Sequence, residues 1–280
     1  MNLNLAYSSC PNDTFIFDAI VNRKINTGSF SFNVTLADIE ELNNLALNNE
    51  ADVIKISYAL YPFISENYQL LTSGGALGRG VGPLVISKRK IYSDELEFTQ
   101  IAIPGRHTTA NLLFTLSYPK AMQKSVYLFS DIEEAVLSNE VDVGVIIHEN
   151  RFTYRQKGLS KIIDLGEYWE QKVGMPIPLG GIAVRRDLSN EIKVGVNNLV
   201  RDSVLHANQY PEDTYRYVRQ FAKAMDIEVM KKHINLYVTS SSVDLGNDGI
   251  NAVNALMSKA KEAGYYDAVE LRKPIFVGDS

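Results

Sequence analysis

The residues of this chain able to do acid–base or nucleophilic chemistry are few: four histidines, one cysteine, and some polar residues at the ends of predicted strands. His148 follows the apolar run Val143-Gly144-Val145-Ile146-Ile147. Imidazole exchanges its proton near neutral pH, so a histidine at a strand end is either a proton acceptor or a structural residue bonded to a backbone carbonyl. His107 lies in the loop Pro-Gly-Arg-His-Thr-Thr and is within reach of a ligand. His206 falls on a partly exposed helix face, and His233, after Lys231 and Lys232, reads as exposed. No two histidines have metal-ligand spacing, and a single cysteine excludes a disulfide within the chain and a multi-cysteine zinc site.

Cys10 stands in Ser8-Ser9-Cys10-Pro11-Asn12-Asp13-Thr14-Phe15. A thiol paired with a distant histidine is a nucleophile. The neighbouring proline and the Asn-Asp-Thr run instead have turn and helix-start chemistry, which favours Asn12, Asp13 and Thr14 over the thiol for capping and ligand contacts. Lys55 and Ser57 close the apolar segment Val53-Ile54-Lys55-Ile56-Ser57, as a strand-end cation and a cap or as ligand contacts. Tyr58, Tyr61 and Phe63 follow, either as core or as packing for a flat ligand. In Pro104-Gly105-Arg106-His107-Thr108-Thr109-Ala110-Asn111, a threonine opens a helix whose free N–H groups favour an anion, or simply caps it. The glycine-rich stretch 74–82 lacks the Gly-Lys-Ser/Thr ending of a P-loop. It reads as a cleft-side loop or a turn, with Arg79 an unranked contact.

The elements that must position these residues are legible as alternating strands and helices. Leu3–Tyr7, Ser29–Leu36, Val53–Ser57, Leu84–Ser87 and Gln100–Ile103 read as strands. Thr14–Val21, Asp38–Asn49, Thr108–Leu116, and in the last third Asn190–His206, Pro211–Met225 and Gly249–Ala263, have helical spacing. One pattern recurs. Leu47-Asn48-Asn49-Glu50-Ala51-Asp52-Val53 is echoed 90 residues later by Leu137-Ser138-Asn139-Glu140-Val141-Asp142-Val143. Asp38-Ile39-Glu40-Glu41 precedes the first copy and Asp131-Ile132-Glu133-Glu134 the second, so each reads as a capped helix, a tight turn and a buried strand. Two such units predict an α/β chain of two lobes with a ligand cleft between them, beyond the carboxyl ends of the strands. Ser57 and His148 then approach the cleft from opposite sides.

The chain has 280 residues, 45% hydrophobic and 22% charged, with a formal net charge of −5. That is enough material for two lobes and a substantial core. An acidic balance without a basic block argues against nucleic-acid binding. No run approaches the 18 or so apolar residues of a membrane span. The start Met-Asn-Leu-Asn-Leu has neither the basic stretch nor the apolar run of an export signal, so a cytoplasmic protein is expected.

The same motifs carry a family resemblance. The Ser-Ser-Cys-Pro-Asn-Asp-Thr-Phe run resembles the N-terminal signature of 1,4-dihydroxy-6-naphthoate synthases of the futalosine route to menaquinone. Lys55-Ile56-Ser57, Pro104 to Ala110, His148-Glu149-Asn150-Arg151-Phe152-Thr153-Tyr154 and Pro178-Leu179-Gly180-Gly181-Ile182-Ala183 follow in the family's order, across nearly the whole chain. Ser9 departs from it, where the family often has proline. The resemblance implies a two-lobed, periplasmic-binding-protein-like (type II) α/β fold with a cleft between the lobes. The first lobe would comprise residues 1–92 and 183–280 with the C-terminal helices, and the second lobe residues 93–182, with hinge crossings near 88–98 and 177–187. It also implies a carbon–carbon lyase that converts cyclic dehypoxanthine futalosine to 1,4-dihydroxy-6-naphthoate, with no cofactor or metal. His148 is then the proton acceptor, and Lys55, Ile56, Ser57, Thr109 and Ala110 contact the small-molecule substrate, to which the turn chemistry at the N-terminal signature adds Asn12. The competing readings are chorismate dehydratase of the same pathway, a non-catalytic solute-binding protein of the same fold, and a transcription-factor effector domain. The sequence sets no oligomeric state.

Overall fold

The computed structural model describes residues 1–222, 226–267 and 271–278. Eleven strands occur in these segments: β1 (Asn2–Tyr7), β2 (Ser31–Leu36), β3 (Val53–Ser57), β4 (Tyr68–Leu70), β5 (Ala76–Gly78), β6 (Leu84–Ser87), β7 (Ile101–Ile103), β8 (Lys124–Val126), β9 (Val143–Ile146), β10 (Ser160–Asp164) and β11 (Ile177–Arg185). They form two sheets. One has the order β2-β1-β3-β11-β4, with β5 also pairing with β11, and the other has the order β10-β6-β9-β7-β8. Each sheet contains a parallel trio, β2-β1-β3 and β8-β7-β9, extended by an antiparallel neighbour, β11 beside β3 and β6 beside β9.

The echo in the sequence is an echo in bonding. After α2 (Ile39–Leu47; α1 is Pro11–Val21), Asn49 adopts φ +59°, and the corresponding Asn139 adopts φ +62°. Asparagine tolerates this left-handed conformation better than most residues, and it ends each helix abruptly. Asp52 Oδ2 then accepts from Asn4 N at 2.8 Å, and Asp142 Oδ2 accepts from Gln100 N at 3.0 Å, which fixes the start of the central strand pair in each sheet. The same two aspartates pair with arginines at or just beyond the ends of the antiparallel neighbours, Arg185 for Asp52 and Arg89 for Asp142. The helix starts differ. Asp38 accepts from Glu40 N and Glu41 N, whereas Asp131 makes no side-chain cap and instead receives the Ser130 hydroxyl.

The remaining helices are α3 (Tyr61–Ile64), α4 (Thr109–Ser117), α5 (Ile132–Leu137), α6 (Asn150–Thr153), α7 (Leu165–Val173), α8 (Asn190–Gln209), α9 (Pro211–Phe221), α10 (Ile227–Tyr237), α11 (Ser240–Val243) and α12 (Gly246–Glu262). The chain leaves the first sheet after β5, and β6 already pairs in the second. The expected 92/93 boundary therefore falls one strand after the passage, because Leu84–Ser87 bonds along β9. The return comes between β10 and β11, and β11 runs wholly in the first sheet. The helix expected over Pro211–Met225 ends at Phe221, and residues 223–225 lie outside the described residues. Close approach of the Ile56 main chain and the Tyr58 ring dictates two glycines in β11. A Cβ on Gly180 would lie 2.7 Å from the Ile56 carbonyl oxygen, and one on Gly181 would lie 2.6 Å from the Tyr58 hydroxyl. Only bare backbone lets β11 lie against β3 there.

Candidate active site

β3 is buried along its whole length, including Lys55. A lysine in such a place must be paired. Its ammonium, with the side chain 5% exposed, meets Asp13 Oδ1 at 2.6 Å. Asp13 sits in the first turn of α1, which begins with Pro11, a residue that has no N–H to leave unsatisfied there. The Asp13 carboxylate also accepts from Ser8 Oγ at 2.6 Å and Asn12 Nδ2 at 2.8 Å. Asn12 in turn accepts from His233 Nε2 through Oδ1 at 2.9 Å, because its amide nitrogen is already donating to Asp13. Thr14 does not join this network and donates its hydroxyl back to Cys10 O.

Ser57, at the end of β3, is held by Asn43, whose Nδ2 donates to Ser57 Oγ at 3.2 Å and whose Oδ1 accepts from Ser57 N at 3.1 Å. Among the described residues, none accepts the Ser57 hydroxyl proton. From the second sheet, β9 ends at Ile146, and His148 follows with φ +58°. A bulky residue in the left-handed region is strained and persists only where its surroundings hold it. Cys10 Sγ lies 3.7 Å from His148 Nδ1, Phe129 meets the ring edge-on at 5.0 Å, and His233 stacks at 6.0 Å with a 23° interplanar angle. Nε2 is the ring nitrogen left for a ligand. At the start of α4, Thr108 Oγ1 caps Asn111 N. The Thr109 hydroxyl is committed, donating to Leu179 O at 2.6 Å and accepting from Ala59 N. What α4 offers a ligand is therefore the backbone N–H groups of Thr109 and Ala110, which have no partner within the helix.

These residues surround one cleft with about 670 Å³ of empty space, counting its open mouth. Asn12, Lys55, Ser57, Thr109, Ala110 and His148 all line it, as do Ser8, Asp13 and Thr108. Ile56 does not. Its side chain points into the core between its two lining neighbours, as strand alternation requires. Arg79 also stands outside, donating to Gly174 O and pairing with Glu170. His107 packs on Phe63, with ring centroids 4.6 Å apart, and lines no part of the cleft. Tyr58 and Tyr61 are fully buried core. The glycine-rich stretch contributes Ala76 and Val81, with Pro83 just beyond it.

Two residues of α10 were not legible as site residues. His233, expected at the surface, is completely buried, and Tyr237 lines the cleft. They are four apart on one helical face, and Leu236 and Ile234 beside them give the apolar spacing that marks a buried helix face. Lys231 and Lys232, the basis for reading His233 as exposed, lie on other faces of that helix.

Burial sets the protonation states. It lowers the pKa of His148 below the ordinary histidine value, against the opposing pull of the Glu149 and Asp13 carboxylates, so the ring is neutral at neutral pH. It holds His233 well below that value, and a proton on His148 lowers it further. The Cys10 thiol is pushed up by burial and by Glu149, which keeps it protonated and a poor nucleophile. The site thus offers a neutral imidazole, a buried ammonium, two free helix N–H groups and a set of hydroxyls. Such a set can remove a proton and hold the negative charge that develops on oxygen. Among the described residues, no group of three histidine, cysteine, aspartate or glutamate side chains is arranged to hold a metal ion.

Two sheets with parallel trios, joined by chain crossings between β5 and β6 and between β10 and β11, define a protein of the periplasmic-binding-protein fold class. A Candida albicans protein, described as having the generic periplasmic binding protein fold, superposes with a TM-score of 0.68 at 15% identity, covering 96% of this chain and 92% of its own. A structure from Archaeoglobus fulgidus superposes with a TM-score of 0.90 at 33% identity, over 95% of this chain and 98% of that one. Residues 3–262 match the model of the menaquinone biosynthesis family, and the chain belongs to that family. Two similar relatives are named 1,4-dihydroxy-6-naphthoate synthase. The one from Streptomyces coelicolor is 42% identical over 95% of both chains, and the one from Thermus thermophilus is 40% identical over 98% of this chain and 99% of its own.

Proposed function

We propose that this chain is a 1,4-dihydroxy-6-naphthoate synthase, a carbon–carbon lyase that takes cyclic dehypoxanthine futalosine to the naphthoate in the cytoplasm, without nucleic acid or a membrane as partner. Full-length relatives of that name support the activity. The observation that carries the mechanism is His148, a neutral imidazole held in a left-handed conformation at a strand end, in the wall of the cleft that Lys55 also lines. His148 accepts the substrate proton through Nε2, the nitrogen not facing Cys10. The proton comes from a hydroxyl of the sugar-derived fragment, the O–H pair forms that fragment's C=O as it leaves, and the electron pair of the breaking carbon–carbon bond passes through the ring to a ring oxygen as the ring becomes aromatic. Lys55, Ser57 and Asn12 hold the substrate from the side of the first sheet, and the N–H groups of Thr109 and Ala110 hold it from α4. Ile56 contributes backbone only. Enclosure between the two sheets excludes water from the ring during the step.

The test is turnover of cyclic dehypoxanthine futalosine by purified protein without added metal or nucleotide, followed as appearance of the naphthoate. Wild type forms product. His148→Ala keeps its circular dichroism spectrum and melting temperature and loses turnover by about 10²-fold or more, the scale of general-base catalysis. Absence of product with wild type overturns the activity, and near wild-type turnover by His148→Ala overturns the assignment of the base.

A further inference from the structure

Taking a proton at His148 and sending a bond pair onto a ring oxygen leaves an enolate or phenolate oxygen to be stabilised, and the cleft side chains differ in what they still have to donate. The Ser8 hydroxyl is committed to Asp13, the Thr108 hydroxyl to Gly105 O and the Thr109 hydroxyl to Leu179 O. The Asn12 amide accepts from His233 and gives one N–H to Asp13, which leaves its second N–H on the side of the first sheet. The Ser57 hydroxyl and two of the three Lys55 N–H groups remain, on the side of the first sheet. Among the described residues, the other cleft hydroxyl with no acceptor is that of Tyr237, at the end of α10.

Two contacts aim that phenol, and burial keeps it protonated. His233, one helical turn earlier, has its ring 4.7 Å from the Tyr237 ring and 6.0 Å from the His148 ring, so α10 carries Tyr237 along the flank of the base. The Arg151 guanidinium, which donates to Gly82 O at 2.9 Å and Gly80 O at 3.0 Å, stands beside the phenol, placing it against the loop whose Val81 and Pro83 line the cleft. An arginine has only donors, so it can meet the phenol only through the oxygen lone pairs and leaves the O–H proton to point elsewhere. Burial raises the phenol to about 12 against the opposing pull of Arg151, so it stays a protonated donor through the working pH range.

We propose that Tyr237 is a catalytic residue whose hydroxyl donates a hydrogen bond to the ring oxygen on which negative charge develops as His148 takes its proton. The imidazole gains the proton of a hydroxyl on the leaving fragment, the O–H pair becomes that fragment's C=O, the ring oxygen gains the electron pair of the broken carbon–carbon bond, and the Tyr237 proton is shared without being lost. This rests on the synthase reading. A donor that acts on the developing oxyanion is realised in the transition state, so its loss falls on kcat rather than on KM.

Tyr237→Phe keeps the ring between His233 and the loop and removes only the hydroxyl. Wild-type turnover is measured first, and its absence defeats the synthase reading and not the Tyr237 assignment within it. With wild type active, Tyr237→Phe is expected to lower kcat by about 10²–10³-fold with KM changed by less than about threefold. A kcat within about threefold of wild type overturns the proposal, and so does a loss that falls only on KM. Replacement of Tyr237 by difluorotyrosine tests the same hydroxyl in case the Phe variant folds poorly. Its more acidic phenol ionises at lower pH, so the alkaline limb of kcat moves to lower pH. Cys10, Glu149, His233 and Arg151 face the phenol and are unchanged by this replacement. An alkaline limb that stays at its wild-type position overturns the proposal.

Discussion

Removing the Asp13 carboxylate is the sharpest test of how the cleft floor is built. Asp13 takes three donors, Lys55 Nζ at 2.6 Å, Ser8 Oγ at 2.6 Å and Asn12 Nδ2 at 2.8 Å, and Lys55 is paired with no other carboxylate among the described residues. In Asp13→Ala the ammonium, its side chain 5% exposed, is left without a counter-charge. Breaking a buried pair from one side costs about 3–5 kcal/mol. Ser8 and Asn12 each lose an acceptor, which places the cost toward the upper end of that range, although cleft water offsets part of it. With a urea slope of about 3 kcal/mol per M, the denaturation midpoint falls by roughly 1–1.7 M. Asp13→Leu combined with Lys55→Met removes both charges and should recover most of that loss, to within about 1.5 kcal/mol of wild type. Urea titrations followed by circular dichroism on the wild type, both single variants and the double variant give the coupling directly. A midpoint lowered by less than about 0.3 M in Asp13→Ala would refute the reasoning, because Lys55 would then be stabilised by something other than Asp13.

Two further outcomes follow from the same geometry. The acid limb of kcat/KM should lie below the ordinary histidine range: burial lowers the pKa of His148, the neutral ring is the active form, and activity falls only as pH drops through that lowered value. A pH–rate profile with its acid midpoint at or above the ordinary histidine value of about 6.5 contradicts this. Gly180→Ala places a Cβ 2.7 Å from the Ile56 carbonyl oxygen and so pushes β11 from β3 beside Lys55 and Ser57. It should cost about 1–3 kcal/mol in a thermal or urea melt, and a variant as stable as wild type would show that the two strands have slack.

The frame of this protein was legible because it follows local rules. Alternation, capping residues and turn asparagines fixed most strands and helices, and the repeated Asn-Glu-x-Asp-Val run gave the two sheets before any contact was known. Most of the expected cleft residues do line the cleft, for the reason expected: they stand just beyond the carboxyl ends of strands or at a helix start. What was illegible depends on tertiary packing. Nothing local distinguishes His233, buried behind the cleft, from a histidine on a charged surface helix. Nor does sequence disclose that Lys55 and Asp13, 42 positions apart, are a buried pair. The passage into the second sheet was misplaced because a short apolar strand such as Leu84–Ser87 fits either sheet until its partner β9 is known.

The two copies also explain where the chemistry sits. Superposed by their shared motif, the end of β3 and the end of β9 are equivalent places in two similar units, and both face the cleft. The residues that differ there are the ones that matter. Lys55 and Ser57 correspond to Val145 and Ile147, and His148 corresponds to Tyr58. At each pair one copy is polar toward the cleft and the other is apolar or core: Val145 and Tyr58 are fully buried, while Ile147 lines the cleft as an apolar wall. Tyr58 keeps the chain running into the first core, whereas at position 148 the backbone turns left-handed and presents an imidazole to the cleft. Conserved bonding around Asp52 and Asp142 holds both strand ends in place, so a substitution one or two residues further on changes chemistry without disturbing register. A duplicated frame with asymmetric strand ends thus supplies the cation and hydroxyl from one sheet and the base from the other. The departures from internal similarity are where a site is to be sought.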